Sequence, residues 1–437
     1  MRRRLPMAYS ALVLTGVNLT LRFLGTGFQV YLSRAIGAAG LGLLQLTLSV
    51  GSLAMVAGIG GIRTAVMYLS AEEVGRGHPG GAGAVISGGL FYSILCSGAA
   101  ACALWFLSPW IANRLLGVPG AQAALRLVAA FLPVTCLSCA MSGYFTAAGR
   151  IGVLTAVGIG EQLISMGTTI LLLKKFSASE SLHACLAAVS GSGVGAVFSL
   201  VLLTFLRCQE HAPDTARISA MPRLLQTALP LAAADLMKAG ISSAENLMVP
   251  KRLAQNTTIA DPLAAFGRLG GMVFPALMFP ACILFALSEL LIPEFARCRA
   301  AGRRERIQRL SRRVLLLAAA YAAVCAVGLY LFSDFIGKGL YKSPEAAVLL
   351  RRFAPMTLIL YCDIVTDAMV KGLGQQKTSV LFNILTNSLD VALLFFLLPK
   401  YGLGGYFFSF LLTHGINFAL SLRLLIKTVD TPESTQK

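Results

Sequence analysis

Residues 314–333 read VLLLAAAYAAVCAVGLYLFS, twenty consecutive positions without a charge between Arg313 and Asp334. At a rise of 1.5 Å per residue, a helix of that length spans about 30 Å, the thickness of a bilayer's hydrocarbon core. No two-residue alternation of polar and apolar side chains runs through it, so a barrel strand is excluded. A helix satisfies its own backbone hydrogen bonds, which lipid cannot do for it. This one stretch therefore points to an α-helical membrane span.

Runs of the same kind recur along the chain. Spans are expected near 8–31, 41–69, 83–107, 121–145, 151–173, 182–206, 223–248, 263–292, 313–333, 346–370, 376–398 and 403–426. Composition agrees. The 437 residues are 56% hydrophobic and 13% charged, with a mean hydropathy of +0.74. A soluble domain carries about 25% charged residues, roughly twice what is available here to coat a soluble surface. The net charge of +18 would suggest nucleic acid in a soluble protein. Here the basic residues sit in short loops and form no stripe interleaved with aromatics. Anionic membrane lipid is the expected partner, and nucleic acid is not.

The ten cysteines lie almost all inside apolar runs, so no disulfide framework is expected. Cys136 and Cys139 have metal-like spacing but no histidine or acid beside them. No metal and no cofactor are expected. Arg2-Arg3-Arg4 before an apolar run resembles a secretion signal. Arg22 interrupts that run at its middle, so an uncleaved first helix is expected instead. Lys and Arg concentrate in the loops on the side of the N-terminus, above all at Arg297, Arg299, Arg303, Arg304, Arg306, Arg309, Arg312 and Arg313. The positive-inside rule then puts both termini in the cytoplasm.

The polar stretches near 207–222 and 293–312 are too short to fold as soluble domains. The first, near the midpoint, reads as a linker. A shift of 225 residues lays Gly42-Leu-Leu-Gln45 on Gly267-Arg-Leu-Gly270 and Ala147-Ala-Gly-Arg150 on Gly372-Leu-Gly-Gln375. The same shift aligns the end of the second span with that of the eighth. An all-α membrane protein follows, with about twelve transmembrane helices in two six-helix lobes, 1–210 and 211–437. Even numbers of helices per lobe imply pseudo-two-fold symmetry along the membrane normal, around a central cavity.

Charges inside spans are the main pointer to function, since each costs about 2.5–3.5 kcal/mol at a helix centre. Arg22, Arg63, Lys238 and Arg268 lie on spans 1, 2, 7 and 8. Facing one cavity, they would suit an anionic, phosphate-bearing substrate. The bland reading pairs Asp235 with Lys238 and lets Arg63 reach the inner interface. Asp363 and Asp367, one turn apart on span 10, are candidates for ion coupling; a salt bridge or a wet helix face is the alternative. Glu161 and Asp390 are further acids inside spans. Pro275 and Pro280 make span 8 the best hinge. Gly191 and Gly195 form a GxxxG for close helix packing. His183 and His414 stand alone and receive no role. No GxSxG, HExxH or P-loop occurs, so the chain is not expected to be an enzyme.

Two stretches carry a family resemblance: Arg22-Phe-Leu-Gly25 through Leu32-Ser-Arg34-Ala-Ile-Gly37 to Gly42, and Phe266-Gly-Arg-Leu-Gly-Gly271 through Phe279-Pro280 to Pro293-Glu294. With the twelve-span layout, the chain resembles the stage V sporulation protein B-like polysaccharide flippases. Their superfamily also holds lipid II flippases and multidrug and toxin extrusion exporters. The resemblance implies two lobes, a central cavity and export of undecaprenyl-pyrophosphate-linked sugars across a bacterial plasma membrane by a monomer. Arg22 and Arg268 match arginines of lipid II flippases. An Arg-Asp pair that those proteins carry later in helix 1 falls here on Phe28-Gln29, which points to a related glycolipid. The expected function is a flippase for a lipid-linked oligosaccharide or peptidoglycan precursor. The alternatives are a cation-coupled exporter of small organic molecules and an integral-membrane glycan enzyme.

Overall fold

The computed structural model describes residues 7–75, 79–148, 150–175, 181–208 and 221–430. The expected linker lies largely outside them, as do Arg2-Arg3-Arg4. Among the described residues no strand occurs. The long helices are α1 (Met7–Ile59), α2 (Ile62–Gly75), α3 (Pro79–Trp110), α4 (Ala121–Ala147), α5 (Ile151–Lys175), α6 (Ser181–Cys208) and α7 (Met221–Leu253). They continue as the short α8 (Pro262–Arg268) and α9 (Phe274–Met278), then α10 (Cys282–Ala300), α11 (Arg304–Leu331), α12 (Pro344–Phe353), α13 (Thr357–Gly372), α14 (Gln376–Tyr401) and α15 (Leu403–Asp430).

Nine of the described helical stretches are long and apolar enough to cross a membrane, and the bent pair 262–278 and 282–299 adds a tenth. Leu19–Ser70, at 52 residues, is long enough for two spans. Helix α7 matches them in length and carries Asp235, Lys238 and Glu245. With these two adjustments the layout matches the twelve spans read from the sequence. Phe106, Leu317 and Val324 are among the large apolar side chains left exposed, as acyl chains around the helices require.

Three boundaries differ from expectation. The loop expected at 32–40 is helical, and α1 turns within it at Gly37 alone, where φ is +68°. The polar stretch 293–312 is helix except at 301–303. Apart from Arg303 in that break, its arginines lie on helical turns, and most of them are exposed. Span 10 is interrupted at 354–356, around Pro355.

The helices pack as two units: Met1–Leu21 with Ala35–Leu247, and Arg22–Arg34 with Met248–Lys437. Packing thus departs from chain order in two places. Part of span 1 belongs with the second unit, and most of span 7 with the first.

In the first unit, Ile62, Val66, Ile86, Phe145, Leu203 and Leu224 form a buried core. Span 2 breaks at Gly60–Gly61, both with positive φ. A Cβ on Gly61 would stand 2.6 Å from the Ala228 carbonyl oxygen, so α7 lies directly on the break. The GxxxG expectation holds: a Cβ on Gly191 would meet Thr169 and the Ser165 carbonyl, and one on Gly195 the Glu161 carbonyl. Helix α6 therefore packs backbone-close on α5.

The second unit repeats these devices. Its Tyr361, Phe353 and Phe295 are fully buried. Span 8 breaks at 279–281, where its two halves meet at 60°. Helix α3 is followed by a π-helical turn at Ile111–Leu116, and α11 by one at Phe335–Leu340.

Candidate functional site

In the second unit, span 1 runs antiparallel to the broken span 8. Pro275 has no N–H to offer the π-helical turn Leu269–Val273 that precedes it. Gln29 supplies a side-chain donor there: its Nε2 gives a hydrogen bond to the Gly271 oxygen at 3.2 Å. The break around Pro280 frees further carbonyls. Tyr361 Oη donates to the Leu277 oxygen at 2.6 Å, and Tyr321 Oη to the Pro280 oxygen at 2.8 Å. The Phe23 and Phe279 rings meet beside it, with centroids 6.0 Å apart. Pro275 and Pro280 therefore lie where the helix is interrupted, and side chains from three neighbouring segments satisfy the exposed backbone.

Arg22 lies one residue from this contact. Its guanidinium sits 4.7 Å from the centroid of the Phe285 ring, and no carboxylate pairs with it among the described residues. A cation over a ring face gains about 0.5–2 kcal/mol. Arg268 is different. Glu345 approaches it at 3.9 Å, while its Nε is buried with no acceptor among the described residues. That acid comes from α12. Since Gln29 stands at Gly271, and Arg22 seven residues before Gln29, the two arginines are at least about 10 Å apart along the helix. Arg34, on the same stretch of span 1, donates from Nε and Nη2 to the carbonyls of Leu340 and Gly339 at 2.5 and 2.9 Å, closing the π-helical turn.

In the first unit, Arg63 is exposed one turn beyond the Gly60–Gly61 break. Lys238 and Asp235 are both exposed on α7. They form no ion pair with each other, so the expected neutralisation within that helix is not made. Positions three apart share a helix face, so the spacing allows the pair, but both side chains are exposed and do not meet.

Asp363 and Asp367 have separate partners. Asp367 is met by Lys371 one turn on and by Ser379 of α14, the salt bridge offered as an alternative. Asp363 faces α15 instead, where Asn417 Nδ2 donates to both its oxygens at 3.0 Å. His414 Nδ1 lies 3.9 Å from Asp363 Oδ2. Asp390 of α14 is buried beside them, its Oδ1 accepting from Ser409 at 2.6 Å and Thr413 at 3.1 Å. His414 therefore has a place in a polar cluster, against the expectation that it stands alone. The sequence held a signal for this: Ser409, Thr413, Asn417 and Ser421 recur at four-residue spacing, all within 3% exposure, as a buried polar stripe.

Among the described residues no group of three or more histidine, cysteine, aspartate and glutamate side chains is arranged to hold a metal ion.

A family model described as "Polysaccharide biosynthesis protein" matches residues 8–298, and a second, MatE, matches residues 260–396. Stage V sporulation protein B of Bacillus subtilis (strain 168) is 22% identical over 409 residues, covering 90% of this chain and 78% of that protein. An inward-facing multidrug resistance MATE family transporter of the MOP superfamily matches with a TM-score of 0.76 at 14% identity, over 98% of this chain and 100% of its own. An outward-facing one matches with a TM-score of 0.65 at 13% identity, over 97% and 96%.

Proposed function

We propose, on the premise that this chain belongs to the polysaccharide biosynthesis protein family, that its cargo is an undecaprenyl-pyrophosphate-linked oligosaccharide or peptidoglycan precursor. The chain is a multi-pass membrane flippase or exporter. Its relatives are transport proteins rather than catalysts. The observation that carries the cargo reading is Arg22, an arginine in the middle of an apolar span with a ring for company and no acid among the described residues. A charge so placed costs about 2.5–3.5 kcal/mol, and a pyrophosphate passing it supplies the missing counter-charge.

Around that observation we place the remaining parts. Arg63, Lys238 and Arg268 add positive charge on other spans. Pro275 and Pro280 act as the hinge of span 8 in alternating access. Coupling to a proton or cation falls to Asp363, since Asp367 is already engaged by Lys371 and Ser379. The lobes are 1–210 and 211–437 in chain order. The protein works as a monomer in a bacterial plasma membrane, with both termini cytoplasmic and no nucleic-acid partner.

The test uses the full chain in lipid vesicles loaded with a fluorescent undecaprenyl-pyrophosphate disaccharide. Exposure of the label to an outer-leaflet quencher is expected with the protein present and absent without it. The second reading, a cation-coupled exporter of small organic molecules, is favoured by the MatE match, whose stretch 260–396 includes Asp363 and Asp390. Efflux of an organic cation without any label exposure would establish that reading instead.

A further inference from the structure

We propose that Arg126 binds the head-group phosphate of an anionic membrane phospholipid, at the end of the first unit where α3 passes into α4. The inference does not depend on the cargo.

The 225-residue repeat lays this end of the first unit on the turn between α11 and α12 in the second, and the backbones agree in that register. Gly117 and Lys342 both have positive φ, +69° and +53°. The Val118 N–H donates to the Ala112 oxygen at 3.1 Å, and the Ser343 N–H to the Gly337 oxygen at 2.9 Å. The side chains follow. Ser108 and Ser333 are buried, and their hydroxyls donate to the carbonyls of Trp105 and Tyr330 at 2.7 and 2.8 Å. The Arg126 guanidinium lies 5.3 Å from the Trp105 ring centroid, and that of Arg351 lies 5.7 Å from the Tyr330 centroid. Each unit thus lays one arginine against a ring that stands three residues before a buried serine.

The two differ in counter-charge. In the second unit Arg351 Nη2 meets Asp334 at 2.6 Å, and its Nε donates to Ser333 Oγ at 3.1 Å. Lys338 shares the same carboxylate at 3.0 Å. In the first unit Pro109 stands at the position of Asp334 and Asn113 at that of Lys338. Residues 79–147, which form α3, α4 and their connection, contain no aspartate or glutamate. Arg126 makes no hydrogen bond or ion pair among the described residues, and its Nε is buried. A guanidinium nitrogen that has lost water and gained no acceptor is destabilising. An anion from outside the chain offsets this, its oxygens standing to Arg126 as the Asp334 carboxylate stands to Arg351.

The surroundings select the class of anion. Helices α3 and α4 belong to stretches long and apolar enough to cross a membrane, so their shared end lies at head-group depth. Trp105 and Trp110, the only tryptophans of the chain, are both exposed there, and tryptophan concentrates at that depth. Phe106 and Leu107 between them are exposed as well. Arg114, exposed on the π-helical turn, adds positive charge. A phospholipid brings acyl chains to these apolar side chains and phosphate oxygens to Arg126. A free phosphate ion brings only the oxygens.

The test uses the full chain with Trp110→Phe, which leaves Trp105 as the sole tryptophan, in mixed detergent–lipid micelles. Quenching of its emission by phosphatidylglycerol with dibrominated acyl chains is compared with quenching by the matching phosphatidylcholine. Half-maximal quenching is expected at about fivefold lower mole fraction of phosphatidylglycerol, the factor for one basic residue at an anionic surface. Arg126→Gln should abolish that preference, and Arg126→Lys should retain most of it. Pro109→Asp, which puts a carboxylate where the second unit has Asp334, should abolish it too, while Pro109→Asn keeps it. Arg313→Gln, which removes one charge from a different helix, should leave it intact. Equal quenching by the two lipids in the parent, or a preference that survives Arg126→Gln or Pro109→Asp, would overturn the proposal. So would a preference lost equally in Arg313→Gln, which would trace it to net charge. Loss on adding inorganic phosphate at constant ionic strength would assign Arg126 to a free ion instead.

Discussion

Removing the amide of Gln29 takes a hydrogen-bond donor away from the buried Gly271 carbonyl. Gln29→Leu keeps the volume and loses only the hydrogen bond at 3.2 Å. An unsatisfied buried carbonyl costs about 1–3 kcal/mol, so thermal unfolding of the variant in detergent should begin several degrees earlier. An unchanged midpoint would show that Pro275 is tolerated without Gln29. A second residue-scale expectation concerns Asp334, in the turn after α11. Lys338 hydrogen-bonds its carboxylate, and the charges of Lys338 and Arg351 act in the same sense, so its pKa is held below the usual aspartate range. Because the folded value is depressed, the clamp contributes fully above the ordinary aspartate pKa of about 3.9 and is lost as pH falls through the lowered value. Asp334→Asn should therefore unfold earlier than the parent near neutral pH, and the gap should close as pH falls through the lowered value. A gap independent of pH would refute the clamp. At this scale the sequence was readable where a residue is costly by itself. Arg22 and Arg268 stand out because lipid penalises them. His414 does not, because its partners Asp363 and Asp390 arrive from two other helices, and only the stripe from Ser409 to Ser421 hints at a buried polar face.

The break of span 8 is an element-scale device, held open by hydroxyls that the helix itself does not provide. Tyr361→Phe removes the bond to the Leu277 oxygen at 2.6 Å while keeping the buried ring. If that bond maintains the 60° bend, cysteines introduced on either side of 279–281 and spin-labelled should report a straighter or more variable angle, and stability should drop by about 1–3 kcal/mol. A distance distribution identical to the parent's would mean that Pro280 alone sets the bend. The corresponding break in span 2 depends on space rather than hydroxyls. At Gly61 a methyl group would collide with the Ala228 carbonyl, and φ is +67° there, so Gly61→Ala should be more damaging than Gly60→Ala. Pro275 and Pro280 announced one break in the sequence. Gly60–Gly61 announced nothing, because paired glycines inside an apolar run read equally as helix packing. The spans themselves were legible from length and hydropathy. The helical course of 304–313 was not, since polarity marks where lipid ends and says nothing about where a helix does.

At the scale of the whole molecule, the question is what drives a doubly negative head group outward. The cytoplasmic side of a bacterial membrane is negative, so export of each charge releases about 2.3 kcal/mol per 100 mV. The potential supplies direction, and the protein has only to lower the barrier in the apolar zone. Arg22 is suited to that step because its guanidinium leans on the Phe285 ring and, among the described residues, is not bound to a carboxylate. Arg268 already shares its charge with Glu345 at 3.9 Å and should matter less. Label exposure in vesicles carrying an inside-negative potassium diffusion potential should therefore accelerate with the potential. Arg22→Ala should slow it about a hundredfold, the rate equivalent of losing one counter-charge of about 2.5–3.5 kcal/mol. Arg22→Lys, which keeps the charge and loses the planar fork, should stay within about tenfold of the parent. Arg268→Ala should lie between the two. A passing head group needs attraction without a fixed hydrogen-bond geometry, because a bidentate hold strong enough to orient it would also retain it. Full activity of the double variant Arg22→Ala/Arg268→Ala, with normal insertion, would remove the arginine pathway and shift the assignment to the exporter of small organic molecules.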